Sequence, residues 1–147
     1  MSEPRARRWP RVLLLAFLLV AALLQLVPVE RGNPAVQTDV AAPSDVDVVL
    51  RRACYDCHSN ETRWPWYGYV APVSWLLARH VKKGRADLNF SEWPALDFEL
   101  QSLALRDIEE QIVQEKMPLG SYTRLHRDAT LTRSGRDLLL EWARSQR

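Results

Sequence analysis

Cys54-Tyr55-Asp56-Cys57-His58 sets two thiols three positions apart, with an imidazole directly after the second. On one helical turn, positions i and i+3 share a face. Thiols so placed can add to the two vinyl groups on one edge of a porphyrin. The adjoining imidazole can then turn beneath the macrocycle and ligate its iron from the proximal side. C-x-x-C-H is the attachment signature of c-type haem. Other chemistries use parts of the same pattern. A thioredoxin-like redox pair needs a βαβ setting, and the chain offers no alternating strand. A zinc site needs four ligands, but there is no second Cys pair and no spaced His pair. A structural disulfide would not require His58.

Iron held by His58 has a sixth position to fill. Lys116-Met117-Pro118 supplies the main candidate, because Met117 is the one methionine besides Met1. A thioether favours the reduced iron and raises its potential. The alternative for Met117 is ordinary packing, the commoner use of methionine. His80 is the competing sixth ligand, on the apolar face of its helix with Val73, Leu76 and Leu77. Its bland reading is a core histidine. His126, between Arg124 and its neighbour Arg127, is a weaker candidate and reads more simply as a loop residue. An open sixth position is the remaining option. Trp64, Trp66, Trp75 and Trp93 offer flat walls for a macrocycle, and Arg63, Arg79 or Arg85 offer cations for propionates. Ordinary packing and a solvated basic surface are the competing roles.

These residues must be positioned by a chain of 147 residues, and the pattern reads all-α. One helix starts near Ser44, keeps Val46, Val49, Leu50 and Ala53 on one face, and leads into Cys54 and Cys57. A second starts at Pro72 and stops at Gly84. A third covers about Ser102 to Lys116, with Leu105, Ile108 and Ile112 as its stripe and Pro118 beyond it. A fourth runs from Thr132 to Ser145, with Leu138, Leu139 and Trp142 apolar and Gly135 an unexpected guest. Pro- and Trp-rich loops connect them.

Ahead of this body lies VLLLAFLLVAALLQLV, residues 12–27, interrupted only by Gln25. It is slightly short for a spanning helix of roughly 17–25 residues and slightly long for a signal-peptide core of roughly 7–15. No small-x-small cleavage site follows promptly, which favours an uncleaved transmembrane anchor over residues 12–29 rather than a signal peptide. Arg5, Arg7, Arg8 and Arg11 place residues 1–11 in the cytoplasm as a basic tip. Residues 30–43, with Pro34, Pro43, Gly32 and Asn33, read as a linker. Residues 44–147 are then the folded domain, outside the cytoplasm. Beyond residue 11, basic and acidic residues nearly balance, 16 to 17. That argues against a nucleic-acid-binding face.

The run from Cys54 to Trp142 resembles the small haem-binding domain of bacterial membrane-anchored c-type cytochromes. CYDCHSNETRWPWY, APVSWLL, GRADLNFSEW, KMP and Tyr122 with His126 and Trp142 carry the resemblance. It implies a cytochrome-c-like helical domain with one covalently attached haem c, in the periplasm or extracytoplasmic space of the bacterial cytoplasmic membrane. Cys54, Cys57, His58 and Met117 would bind the cofactor, with His58 and Met117 on iron. The expected role is one-electron transfer with a redox partner protein, rather than enzymatic turnover. A haem sensor or peroxidase-like site with an exchangeable sixth ligand is a second class. A haem-free thiol oxidoreductase is a third.

Overall fold

The computed structural model describes residues 9–147. Arg5, Arg7 and Arg8 of the basic tip lie outside the described residues. Helices carry the fold, and no strand occurs among the described residues. They are α1 (Trp9–Leu24), α2 (Ser44–Ala53), α3 (Tyr55–His58), α4 (Val73–Asp87), α5 (Phe98–Val113), α6 (Gly120–Leu125) and α7 (Arg133–Ser145). Short 3-10 turns add Trp66–Tyr69, Phe90–Ala95 and Arg127–Ala129.

The chain divides into two units. One joins residues up to Arg31 with Trp64–Arg79; the other joins Gly32–Arg63 with His80–Arg147. In the first, α1 has no buried residue. Its 16 residues rise about 24 Å, against a hydrocarbon core of about 30 Å. No described helix is long and apolar enough to cross a membrane. The described helix ends in a turn at Gln25, so it covers residues 12–24 of the expected 12–29 span.

The second unit holds the core. Val46, Val49 and Leu50 of α2, Leu105, Ile108 and Ile112 of α5, and Leu139, Trp142 and Ala143 of α7 meet there. Packing of α2 and α5 against α7 follows from these stripes. Tyr55 stacks on Phe90 at 5.3 Å, and Phe90 stacks on Trp93 at 6.2 Å. The Tyr55 hydroxyl donates to Asp39 at 2.6 Å, so residues ahead of α2 are pinned to the same core.

Helix ends follow local chemistry. Asp97 caps α5 by accepting from the Leu100 N–H, so the helix opens four residues before the expected Ser102. It closes in a Schellman turn, where Lys116 N–H donates to Gln111 O and Glu115 N–H to Ile112 O. Glu115 takes the left-handed conformation there, with φ 56°. Thr132 caps α7 by accepting from Gly135 N–H. Gly135 is buried, and a Cβ would come within 3.3 Å of Thr132 Oγ1 and 3.7 Å of Val49. A small residue at this first-turn position keeps α2 and α7 close.

Gly84 does not stop its helix. It sits inside α4, which continues to Asp87. The α2 helix, conversely, does not run on through the thiol pair: the backbone turns at Cys54 (φ −124°, ψ −38°) and α3 begins anew at Tyr55.

Candidate functional site

The turn at Cys54 builds the site's first wall. Cys57 N–H and His58 N–H both donate to the Cys54 carbonyl, at 3.1 and 2.9 Å. One tight turn thus carries both thiols and the imidazole. The two cysteines are free and half-buried. Burial pushes the Cys54 thiol up to about 12, with Cys57 adding to the effect. Burial also pushes Cys57 up to about 11, reinforced by Asp56 and opposed by Arg85.

Helix α4 supplies the second wall. Its buried Gly84 meets the thiol turn so closely that a Cβ would stand 2.5 Å from the Cys57 carbonyl oxygen. Only glycine allows this approach. Four oxygens then hold Arg85, whose guanidinium donates to Ser59 O, Gly32 O, Asn33 Oδ1 and Thr62 Oγ1. Beyond α4, the Leu88 carbonyl lies 3.1 Å from His58 Nδ1. A carbonyl can only accept, so Nδ1 bears the proton and Nε2 keeps its lone pair. Burial lowers the His58 pKa, partly countered by that bond, and so favours the neutral imidazole. A ring nitrogen fixed by a backbone carbonyl is the usual outer support of a metal-ligating histidine.

The third wall follows the Schellman turn. Met117, Pro118 and Leu119 leave α5, and Tyr122 comes from α6. The Tyr122 hydroxyl donates to Asp56 Oδ2 at 2.6 Å, while Arg63 donates to Oδ1 from its backbone N–H and its Nε. Burial, then Asp56, hold the Tyr122 phenol well above its ordinary pKa.

The three walls enclose one cavity of about 220 Å³. Ala53, Cys54, Cys57 and His58 line it with His80, Lys83, Gly84, Asp87, Met117 and Tyr122 among others. Both thiols, the imidazole and both main candidates for a sixth ligand thus share one space. His126 does not line it and instead stacks on the Tyr122 ring at 4.3 Å. The expected tryptophan wall is also absent from the lining. Trp93 is buried in the core, and Trp64, Trp66 and Trp75 belong to the other unit. The aromatic wall is Tyr122. Of the expected propionate partners, Arg63 pairs with Asp56 and Arg85 is taken up by Ser59, Thr62 and the 32–33 backbone and side chain.

The donor set fits a haem. Two thiols sit on one turn, an imidazole offers Nε2, and a soft thioether or a second imidazole shares the same cavity. A bare metal ion is less well served: no three His, Cys, Asp or Glu side chains gather to hold one among the described residues. At about 220 Å³ the cavity is smaller than the 300–1,000 Å³ common for enclosed ligands.

Cys54, Cys57, His58, Met117 and His80, all singled out by the sequence, line this cavity together. The close packing of Gly84, the Leu88 carbonyl and the Asp56–Tyr122 bond were not legible in the sequence. A glycine inside an otherwise helical pattern was the one available signal for the first. No curated protein and no solved structure matches the chain. A family description, the haem-binding domain, matches residues 19–145. That span takes in all three walls of the cavity, and the chain belongs to the haem-binding domain family.

Proposed function

We propose that this chain carries one covalently attached haem c and passes single electrons at the outer face of the bacterial cytoplasmic membrane, held there by α1. The meeting of Cys54, Cys57, His58, Met117 and His80 around one cavity carries the reading. Cys54 and Cys57 would form thioethers to the two vinyl groups. His58 would ligate iron through Nε2, with Leu88 holding its other nitrogen. Met117 would supply the second iron ligand, with His80 as the competitor. The bound group supplies a one-electron ferric–ferrous couple. The protein's part is to hold the ligands, shield them from water and set the potential.

The chain should be produced with haem-attachment machinery. Haem should then survive a denaturing gel and acid extraction, and the pyridine haemochrome should be of the thioether type. Cys54→Ala with Cys57→Ala should abolish the stained band. Protein purified with free thiols and no haem would sink the proposal. Rapid carbon monoxide binding by the reduced protein would replace electron transfer with an exchangeable sixth position.

A further inference from the structure

The first unit carries a surface that the haem reading leaves unused. Trp66 is 79% exposed and Tyr69 56%, with Val70, Val73 and Leu76 exposed beside them in sequence. Trp66 and Tyr69 stand three positions apart on one 3-10 turn, and Val73 and Leu76 do so on α4, so each pair shares a face. Exposed apolar faces of this kind mark a contact. The segment is fastened just beyond the end of α1. Gln25, the one polar interruption of the apolar run, accepts from Ala71 N–H at 3.1 Å through its side-chain oxygen. Arg31 donates to the Gly68 carbonyl at 3.4 Å, and its guanidinium lies 4.6 Å over the Tyr69 ring.

From Val12 onward helix α1 is apolar all round, and most of its large side chains are more than half exposed. Trp9, 68% exposed, begins it. An amphipathic aromatic therefore stands at the start of the apolar helix, and a Trp–Tyr pair is tied to the chain at its far end. Tryptophan and tyrosine collect at both membrane–water interfaces, where the ring meets acyl chains and the polar edge meets headgroups. Lysine and arginine near a helix end extend toward lipid phosphates.

We infer that the segment from Trp66 to Leu76 is a second lipid-contacting surface, seated at headgroup depth where the chain leaves α1. Trp66 and Tyr69 enter the interface, and Arg31 faces the phosphates. The inference rests on α1 residing in the bilayer, and it adds a contact that α1 alone does not provide. It gives α1, which rises about 24 Å over its described residues against a hydrocarbon core of about 30 Å, a fixed seat at one interface.

The test is hydroxyl-radical footprinting of the full-length, haem-loaded protein in phosphatidylcholine–phosphatidylglycerol nanodiscs, with no other protein present. Free N-acetyltryptophanamide in the same sample gives the rate for a tryptophan in water. Trp66 and Tyr69 should oxidise at least fivefold more slowly than their exposure in water would allow, in step with Trp9. Slow oxidation of Trp9 alongside fast oxidation of Trp66 and Tyr69 would overturn the inference and leave the α1 tether standing. Fast oxidation of all three would overturn both. Trp66→Ser should leave Trp9 protection and the haem spectrum unchanged; loss of either would mean that Trp66 braces the fold instead.

Discussion

The hydroxyl of Tyr122 donates to the carboxylate of Asp56 at 2.6 Å across 66 positions of sequence. Asp56 is one of the two residues between the thiols, and Tyr122 lines the cavity beyond Met117. One bond therefore latches the third wall to the first. A hydrogen bond to a charged group contributes about 1.5–3 kcal/mol when intact. Tyr122→Phe keeps the ring and removes the bond. It should lower the melting temperature by about 6–12 °C, at about 4 °C per kcal/mol for a domain of roughly a hundred residues. Adding Asp56→Asn should cost less than the sum of the two single changes. Strict additivity in thermal unfolding would show that the two residues do not couple.

Gly84→Ala tests the approach of α4. Alanine is the better helix former by about 1 kcal/mol, so an ordinary mid-helix glycine would gain from the change. Here the new methyl would stand 2.5 Å from the Cys57 carbonyl oxygen, a backbone atom that can yield only by moving the thiol turn. Overpacking of this kind costs about 1–3 kcal/mol. The variant should be less stable, and its haem-stained band weaker at equal protein. A raised melting temperature would show that α4 has room to spare.

Glu115 holds the left-handed position of the Schellman turn without being glycine. That conformation costs a side-chain-bearing residue about 1–2 kcal/mol. Glu115→Gly relieves it and loses an exposed ion pair with Arg136 that contributes at most about 1 kcal/mol. Urea unfolding should place Glu115→Gly at or above the parent and Glu115→Val at least about 1 kcal/mol below Glu115→Gly. An inverted order would mean that the turn does not need φ above zero.

Met117 and His80 face the same cavity, and spectra can separate them. In the haem-loaded protein, Met117→Ala should erase the far-red thioether–iron charge-transfer band and lower the reduction potential. His80→Ala should leave the band in place. A band unaffected by Met117→Ala would transfer the sixth position to His80 or leave it open, and carbon monoxide binding would then decide between those two.

The site was legible where its chemistry is local. Two thiols and an imidazole within five residues announce themselves, and the stripes of α2, α5 and α7 follow the helical period. The supports were hidden by distance: Leu88 lies 30 residues from His58, and Asp56 lies 66 from Tyr122. Gly84 misled because glycine serves both helix termination and close packing. The sequence around it does not say which applies. The Schellman turn was masked by Glu115, since the usual glycine is missing. Helix α6, six residues long, is too short to display a period. The tryptophan wall failed because an indole packs equally well in a core, as Trp93 does, or on a surface, as Trp66 does.

His58 and Met117 stand on opposite arms of a long excursion of the chain, 59 positions apart. A group bonded at both ends would close that excursion into a ring. Where both bonds outlast unfolding, such a closure removes about 4 kcal/mol of freedom from the unfolded chain, by the entropy relation used for cross-links. Small domains are stable by only about 5–15 kcal/mol in total. Loading the cavity would therefore act as a staple on the polypeptide, and the empty chain would be the one most exposed to proteolysis.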